Sequence, residues 1–451
     1  MTTALILLAA GQGSRMNSDL PKVLHHIGNA PMFAHGLHAG GALAPERTVV
    51  VVGHGGDQVA AAAQAIDEDI VIATQTEQLG TAHAVLQAKD ALHDFEGDAF
   101  VLYGDTPFIS AETLEAMQTA RAQHDVVVLG FEAADAGRYG RLVMDGDKLS
   151  RIVEFKDATE AERAITLCNS GVLCADSKTL FDLLSRVGND NAAGEYYLPD
   201  VVEIAWASGL TATSVSCDES ETLGVNTRTE LARAEALFQN AKRAEMLENG
   251  VTLVAPETVF LSLDTYIGRD AIIDPNVVFG PNVTIESGAR IKSFSHLEGC
   301  HVSTGADAGP FARLRPGAEL ANNAHVGNFV EIKNAQIGEG TKVGHLTYIG
   351  DADIGDGANI GAGTITCNYD GVFKHRTTVG RDAFIGSNTM LVAPVNVGIE
   401  AMTASGSVIT TDVPNGALAI GRAKQVNKPM LAVKLFLKLR ALKAKNAAKG
   451  Q

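Results

Sequence analysis

Residues 337–361 read IGEGTKVGHLTYIGDADIGDGANIG, and this stretch decides the fold of the C-terminal half of the chain. An aliphatic residue followed by glycine recurs at a spacing of six, as at Ile337, Val343 and Ile349. That spacing fits neither the 3.6-residue period of a helix nor the two-residue period of a strand. It is typical of a parallel β-helix, in which each hexapeptide is one flat side of a coil and its aliphatic residue points inward.

The same pattern covers most of residues 267–398. Further units begin at Ile267, Ile273, Phe279, Ile285, Val326, Ile354, Ile360, Val379, Ile385, Leu391 and Val397. A set of β-hairpins would instead need period-two patterning and Asn-Gly or Asp-Gly turns, which fit poorly. One interruption, Thr366–Arg376, is too polar and too long for a corner, so we expect it to loop out. Insertions in repeat proteins collect on a working face, which makes this loop a functional candidate.

The N-terminal half alternates short apolar runs with helical patterns. The predicted strands are Leu5–Ala10, Thr48–Val52, Ile70–Thr74, Ala99–Tyr103 and Val126–Phe131. The predicted helices are Met32–Ala44, Asp57–Ala65, Thr81–Leu92 and Ala111–Gln123. This alternation predicts a mainly parallel, doubly wound α/β sheet of the Rossmann-like kind. Ligands in such sheets bind at the carboxyl ends of the strands.

A helical stripe without turn residues joins the two halves, from Thr229 to Asn249. With 451 residues the chain is too long for one ordinary core. We therefore expect a doubly wound domain at 1–228, a linker helix at 229–249 and a β-helix domain with a basic tail at 250–451.

That tail, Lys424–Lys449, is rich in lysine and follows the last acidic residue, Asp412. Its leucines are spaced roughly as in a helix. A membrane-surface helix is one interpretation. We favour a segment that packs back on the end of the β-helix or on a neighbouring acidic subunit, because the tail has few aromatic residues.

Composition excludes several classes of protein. A net charge of −17 argues against a nucleic-acid partner, because phosphate backbones are bound by basic surfaces. The five cysteines are scattered, without CxxC pairs, which predicts reduced thiols in a cytoplasmic protein. No apolar run approaches the roughly 20 residues that span a bilayer. The apolar segment Ala4–Ala10 has no basic stretch before it, so we expect a buried strand there and no secretory signal.

The first predicted strand runs into the glycine-rich turn Gly11–Gly13, and Arg15 and Lys22 follow. Such a turn lets backbone amides approach phosphates, and the two cations suit a triphosphate. The turn is neither a Walker A loop nor a dinucleotide fingerprint. Asp105 ends a later strand, where a carboxylate is well placed to hold Mg²⁺, although a turn or helix-capping aspartate is an equal alternative.

These motifs resemble the sugar-nucleotide pyrophosphorylases. The chain from Leu8 to Arg422 resembles the bacterial bifunctional enzymes that acetylate glucosamine-1-phosphate and then uridylylate N-acetylglucosamine-1-phosphate. The resemblance implies a UDP-N-acetylglucosamine site formed by Leu8, Ala9, Ala10, Gly11, Lys22, Gln75, Gly80, Thr81, Tyr103, Gly104, Asp105, Gly140, Glu154, Asn169 and Asn226. It implies catalysis by Arg15 and Lys22 and a Mg²⁺ ion on Asp105 and Asn226. Gln12 stands where many members have lysine.

In the β-helix, His345 occupies the third position of its hexapeptide and should point outward. A lone histidine is usually structural or solvated, but several polar residues follow within a few coils. The resemblance makes His345 the general base that deprotonates the glucosamine amine. It assigns glucosamine-1-phosphate to Arg315, Lys333, Tyr348 and Asn359. It assigns acetyl-CoA to Ala362, Asn368, Tyr369, Ser387, Ser405 and Arg422, with the Ala362 amide stabilising the oxyanion. Ser405 replaces an expected alanine.

The resemblance further implies homotrimers with active sites between subunits, and a product that feeds peptidoglycan and lipopolysaccharide synthesis. One alternative is a single-function sugar-nucleotide pyrophosphorylase whose β-helix only oligomerises or binds regulators. Relatives of that kind lack the His345 constellation and the Asn368-Tyr369 loop. A non-enzymatic scaffold is the other alternative, and the clustered phosphate-binding motifs disfavour it.

Overall fold

The computed structural model describes residues 2–447. The chain divides into two compact units, Met1–Thr284 and Ile285–Gln451. The first unit therefore contains the first hexapeptide repeats as well as the N-terminal half. No helix within residues 2–447 is both long enough and apolar enough to cross a membrane.

Within residues 2–284, the first unit contains a mixed sheet, eight α-helices, five 3₁₀ helices and short repeat strands. Its strands are β1 (Thr3–Ala9), β2 (His26–Ile27), β3 (Ala30–Pro31), β4 (Arg47–Val52), β5 (Val71–Thr74), β6 (Asp98–Tyr103), β7 (Val126–Glu132), β8 (Arg141–Asp145), β9 (Lys148–Val153), β10 (Leu167–Asp176), β11 (Ala212–Cys217), β12 (Thr252–Leu253), β13 (Tyr266–Ile267), β14 (Ile272–Ile273) and β15 (Val278–Phe279). Its helices are α1 (Met32–Gly41), α2 (Gly56–Ile66), α3 (Thr81–Leu86), α4 (Ala111–Arg121), α5 (Glu160–Arg163), α6 (Ser177–Leu184), α7 (Asp200–Ala207) and α8 (Arg228–Glu248).

The main sheet has the order β11-β7-β10-β6-β1-β4-β5. Strand β1 is parallel to both of its neighbours, β4 and β6, as the sequence predicts. The exception is β10, which runs antiparallel to β6 and β7. Strand β1 is buried on both faces because Ile6 and Leu8 belong to one core and Leu5 and Leu7 to the other. Both faces are therefore covered, and the binding site is left at the strand ends.

Helix α8 forms where the linker helix is predicted. Thr227 caps its first turn, and Thr227 and Glu230 form a reciprocal capping box. This cap immediately follows Asn226, so the helix start fixes the position of that side chain. Strand β16 (Val283–Ile285) lies at the division between the two units.

Between residues 285 and 447, the second unit consists of short parallel strands and one helix near its C-terminal end. The strands are β17 (Arg290–Ile291), β18 (His296–Leu297), β19 (Cys300–Val302), β20 (Asp307–Ala308), β21 (Arg313–Leu314), β22 (Ala318–Leu320), β23 (His325–Asn328), β24 (Glu331–Ile337), β25 (Lys342–His345), β26 (Tyr348–Ile354), β27 (Asn359–Ile360), β28 (Ile365–Cys367), β29 (Thr377–Val379), β30 (Phe384–Ile385), β31 (Met390–Val392), β32 (Val395–Val397), β33 (Met402–Thr403), β34 (Val408–Ile409) and β35 (Leu418–Ala419). The helix is α9 (Leu431–Ala447).

Each strand pairs with one in the next coil rather than with its neighbour in sequence. One face runs β17-β20-β23-β25-β27-β30-β33-β35, and all its pairs are parallel. The residues that begin the hexapeptides are buried, as at Val343, Ile360 and Ile385. This arrangement confirms a parallel β-helix of hexapeptide repeats, of the left-handed type.

Two predictions about irregular segments have different outcomes. The insertion does leave the coil, because Val372 and Phe373 at its tip are 74% and 66% exposed. The basic tail does form a helix, α9, but every residue of that helix is exposed. It therefore does not pack on the β-helix of its own chain. The last predicted tail residues, at 448 and 449, lie outside the described part.

Candidate active sites

A cavity of about 320 Å³ opens at the carboxyl ends of β1 and β6. It is lined by Leu8, Ala10, Gly11, Lys22, Val23, Gln75, Gln78, Gly80, Thr81, Ala84, Tyr103, Asp105 and Glu195. Nine of these are predicted site residues. Arg15 instead lies exposed on a 3₁₀ turn, Ser14–Met16, outside the lining of this cavity.

Lys22 joins the two predicted metal ligands. Its ammonium group donates to Asp105 Oδ2 in a short ion pair and to Asn226 Oδ1 at 3.0 Å. These two residues are far apart in sequence, and they meet because Asp105 follows β6 while Asn226 precedes α8. One carboxylate oxygen and one amide oxygen thus converge on a single cationic centre.

This pair of oxygens fits a magnesium ion that is shared with a phosphate substrate. Mg²⁺ is commonly held by one or two protein oxygens and completes its shell with phosphate and water. The described residues contain no group of three or more His, Cys, Asp or Glu side chains that would hold a metal by themselves.

Two glycines, Gly80 in the lining of the first cavity and Gly13 in the turn beside Lys22, have no room for a side chain. Gly13 has a φ of +63°, and a Cβ there would lie 2.5 Å from Lys22 Cβ. Gly80 has a φ of +119°, and a Cβ there would lie 2.5 Å from the Tyr196 carbonyl oxygen. Side chains at these positions would push Lys22 or the Tyr196 backbone away from the cavity.

A second cavity of about 440 Å³ is lined by Glu154, Tyr197 and Glu195, among others. Glu195 also lines the first cavity, so the two adjoin. Burial and nearby Asp157 raise the pKa of Glu154, and burial beside Glu203 raises that of Asp200 to about 6.

Glu154 lines that second cavity, and two further predicted residues, Gly140 and Asn169, are connected to it by contacts. The backbone N–H of Asn169 donates to the Gly140 carbonyl at 2.9 Å. A Cβ on Gly140 would lie 3.0 Å from Glu154 Oε1. Sequence reasoning missed Gln78, Glu195 and Tyr197. Gln78 donates to the Ala10 carbonyl at 3.0 Å, a contact that no sequence motif signals.

In the β-helix, four predicted residues form one column. Ile360 pairs with Val343 in one coil and with Ile385 in the next, and Ile385 pairs with Thr403. Two residues further along each unit, successive coils carry His345, Ala362, Ser387 and Ser405. Adjacent members of such a column are about 4.8 Å apart. The column places the predicted base and three of the six predicted acetyl-CoA residues along one edge.

His345 is exposed, and its orientation is fixed by Asn328 in the preceding coil. Its Nδ1 atom lies 2.7 Å from Asn328 Oδ1. A carbonyl oxygen can only accept, so this contact is a hydrogen bond in the tautomer that carries its proton on Nδ1, which leaves a lone pair on Nε2. A histidine held in this tautomer can accept a proton. Asn328 was not predicted, and the only signal for it is its position one coil before His345.

A cationic group lies on the neighbouring face. Arg315 and Lys333 occupy equivalent positions in successive coils, since Leu314 pairs with Ile332. The ammonium of Lys374 beside Lys333, together with burial, lowers the pKa of Lys333. Cations held this close favour an anionic ligand such as a phosphate. Lys374 comes from the inserted loop and was not predicted.

Asp351 organises the residues beside these cations. It accepts hydrogen bonds from Asn334, at 2.6 Å, and from Asn368. Burial alone would raise its pKa, but these two bonds and the nearby Lys333 hold the pKa below its usual value. Asn368 Nδ2 also lies 3.5 Å from Tyr348 Oη, so the loop is tied to a predicted sugar-binding residue.

Of the other residues predicted to bind acetyl-CoA, some contact each other and others do not. Arg422 donates to the Ser405 carbonyl at 2.7 Å, so those two residues meet. The Ala362 amide has no hydrogen-bond partner within residues 2–447, as an oxyanion donor requires. Tyr369 is 60% exposed and bonds to the Gly371 carbonyl within its own loop.

Comparison with known proteins identifies both halves. Residues 5–193 match the MobA-like NTP transferase domain, and residues 264–299 match the bacterial transferase hexapeptide model of six repeats. The chain is 67% identical to the bifunctional protein GlmU of Jannaschia sp. (strain CCS1), over 98% of this chain and 97% of that protein. It is 68% identical to the bifunctional protein GlmU of Cereibacter sphaeroides (strain ATCC 17025 / ATH 2.4.3), over 99% and 98%.

A solved structure of the inositol-1-phosphate CTP transferase from T. maritima has 15% identity and a TM-score of 0.44, over 53% of this chain and 96% of that chain. The full-length relatives are not single-function pyrophosphorylases, so that alternative is not supported. The chain belongs to the bifunctional GlmU family, with an N-terminal uridyltransferase domain and a C-terminal hexapeptide acetyltransferase region.

Proposed function

We propose that the chain makes UDP-N-acetylglucosamine in two steps. The β-helix transfers an acetyl group from acetyl-CoA to the amine of glucosamine-1-phosphate. The N-terminal domain then transfers UMP from UTP to N-acetylglucosamine-1-phosphate and releases pyrophosphate. The observation that carries this proposal is that each unit separately assembles the side chains its reaction needs: Asp105 and Asn226 around Lys22 in one, and the His345 column beside a cationic group in the other.

The N-terminal reaction needs no protein nucleophile. A sugar-phosphate oxygen attacks the α-phosphorus of UTP, and the enzyme has to align the reactants and neutralise their charge. Lys22 and Arg15 supply positive charge to the triphosphate. Asp105 and Asn226 would hold Mg²⁺, which when bound neutralises phosphate charge. Leu8–Gly11, Gln75, Gly80 and Thr81 would hold the nucleotide at the strand ends, while Gly140, Glu154 and Asn169 would hold the sugar.

The C-terminal reaction needs a base and an oxyanion donor. His345 Nε2 takes a proton from the attacking amine, and Asn328 keeps the imidazole in the tautomer that can accept it. The Ala362 amide donates to the oxyanion that forms on the acetyl carbonyl. Arg315 and Lys333 bind the sugar phosphate, and Tyr348 and Asn359 orient the sugar. Asn368, Tyr369, Ser387, Ser405 and Arg422 would bind acetyl-CoA.

We further propose that the chain works as a homotrimer. Phe294, Phe311 and Phe329 form a ladder on successive coils, with ring centroids 5.0 Å apart, and are 45–55% exposed. Such an exposed apolar patch is typical of an interface.

Substituting the ladder should dissociate the assembly. For the double variant Phe311→Asp/Phe329→Asp, we expect sedimentation to give the mass of a monomer, 47.2 kDa. The parent protein should give the mass of a trimer. Acetyl transfer should fall with it. The matched control is Tyr266→Asp, an exposed and unstacked aromatic. A trimer that survives both ladder substitutions would remove the ladder from the interface.

The free thiols of all five cysteines support a cytoplasmic location. We place the functional division at the linker helix, with uridylyl transfer in residues 1–228 and acetyl transfer in residues 250–451.

One assay tests the proposed function. The purified chain is given glucosamine-1-phosphate, UTP and Mg²⁺, with and without acetyl-CoA, and the nucleotide sugar is identified by mass spectrometry. We expect UDP-N-acetylglucosamine only when acetyl-CoA is present. Adding N-acetylglucosamine-1-phosphate should remove the need for acetyl-CoA. Absence of acetylated product under all these conditions would overturn the proposal.

A further inference from the structure

Arg141, the first residue of β8, is a buried cation that holds a loop. It is 2% exposed. Its Nη1 donates to the carbonyls of Ala136, at 3.1 Å, and of Tyr139, in a short contact. Its Nη2 donates to the carbonyls of Gly137, at 3.2 Å, and of Arg163, at 3.4 Å. Three of these four acceptors lie in the loop immediately before β8.

No carboxylate among residues 2–447 forms an ion pair with this guanidinium. Within residues 2–447, none lies within 4.0 Å of it, and its Nε atom has no hydrogen-bond partner. Burying a charge without a countercharge is costly, and an apolar side chain would fill the same space more cheaply. The cost indicates that the guanidinium of Arg141 serves to orient the backbone carbonyls to which its planar set of N–H groups donates.

The loop that Arg141 holds ends at the sugar side of the N-terminal site. Gly140 directly precedes Arg141, and its carbonyl accepts from the Asn169 amide at 2.9 Å. Glu154 Oε1 packs so closely that a Cβ on Gly140 would lie only 3.0 Å from it. A shift of the loop would therefore alter both contacts, the one to Asn169 and the one to Glu154.

We propose that Arg141 is a positioning residue. It fixes residues 136–140 and thereby the part of the uridylyl site that binds the amino sugar. This inference rests on the proposed function of that site. Arg141 does not touch the substrate. It acts through Gly140, Asn169 and Glu154, and so it determines sugar binding rather than nucleotide binding.

The charge of Arg141 gives the proposal a second readout. Burial, Asp157 and Asp200 all raise the pKa of Glu154, whereas the nearby charge of Arg141 lowers it. Glu154 accepts hydrogen bonds from sugar hydroxyls best when it is ionised. Removing the charge should raise the pKa of Glu154 further. When the solution is acidified, Glu154 would then be protonated, and activity lost, at a higher pH than in the parent protein.

Two variants of the full-length protein separate these effects. Arg141→Lys keeps the charge but loses the planar fork. We expect its KM for N-acetylglucosamine-1-phosphate to rise about tenfold or more, with little change in KM for UTP and an unshifted acid limb of the pH profile. Arg141→Met loses both, so we expect the same KM increase together with an acid limb moved to higher pH.

Internal controls keep the result interpretable. An unchanged KM for UTP reports that the N-terminal domain is folded, and acetyl transfer reports the same for the β-helix. Arg151→Lys, on the neighbouring strand β9 in an ion pair with Glu162, should leave both activities unchanged. Unaltered KM and pH profile in both Arg141 variants would overturn the inference. So would equal increases in KM for UTP and for the sugar phosphate. Absence of uridylyl transfer by the parent protein would instead refute the proposed function itself.

Discussion

Replacing Asp105 with alanine is expected to abolish uridylyl transfer, with a loss of at least about 10³-fold, equivalent to ~4 kcal/mol. Asp105 has two tasks in the structure. It pairs with the Lys22 ammonium, and with Asn226 it supplies the oxygens that suit Mg²⁺. Alanine removes the carboxylate from both tasks. The measurement is pyrophosphate release from UTP and N-acetylglucosamine-1-phosphate.

Acetyl transfer is the internal control for this variant and should be unchanged, since Asp105 lies in the other unit. Asp147→Ala, in the exposed turn between β8 and β9, is the matched control for removing an acidic residue. Pyrophosphate release at the parental rate by Asp105→Ala would remove Asp105 from the mechanism.

The second large effect concerns His345. His345→Ala should reduce acetyl transfer by about 10²–10⁴-fold, which is the usual contribution of a general base. The loss should fall on kcat, because the imidazole takes the proton as the amine attacks, while the phosphate is held by Arg315 and Lys333. Thiol release from acetyl-CoA measures the reaction.

His296→Ala is the matched control, because His296 is also an exposed histidine on a β-helix strand. Uridylyl transfer should be unaffected in both variants. Full acetyl transfer by His345→Ala would show that the general base lies elsewhere.

The β-helix could be predicted from sequence because its period is long and strict. A buried aliphatic residue at every sixth position leaves one stacking arrangement, and that arrangement sets the column of His345, Ala362, Ser387 and Ser405. Residues that support the column were missed for a physical reason. Asn328 and Asp351 act through contacts between coils, about 17 residues apart in sequence, and neither carries a local motif.

The N-terminal half was predictable where strands are buried on both faces, as in β1, and where a glycine-rich turn follows. The antiparallel strand β10 was missed because its centre, Asn169-Ser170-Gly171, interrupts the apolar pattern, and the pairing with β7 shifts register there. Arg141 was missed because its partners are backbone carbonyls, which a sequence does not display. For the tail, the helical spacing of the leucines predicted helix α9, but it could not predict which surface the helix packs against.

The most direct test of the central claim, two reactions in series on one chain, is to identify what each variant accumulates from glucosamine-1-phosphate, acetyl-CoA and UTP. Asp105→Ala should stop at N-acetylglucosamine-1-phosphate. His345→Ala should leave glucosamine-1-phosphate unconverted, and supplying N-acetylglucosamine-1-phosphate should restore its UDP-N-acetylglucosamine. Accumulation of UDP-glucosamine by His345→Ala, or acetylated nucleotide sugar from Asp105→Ala, would contradict both the assignment of the sites and their order.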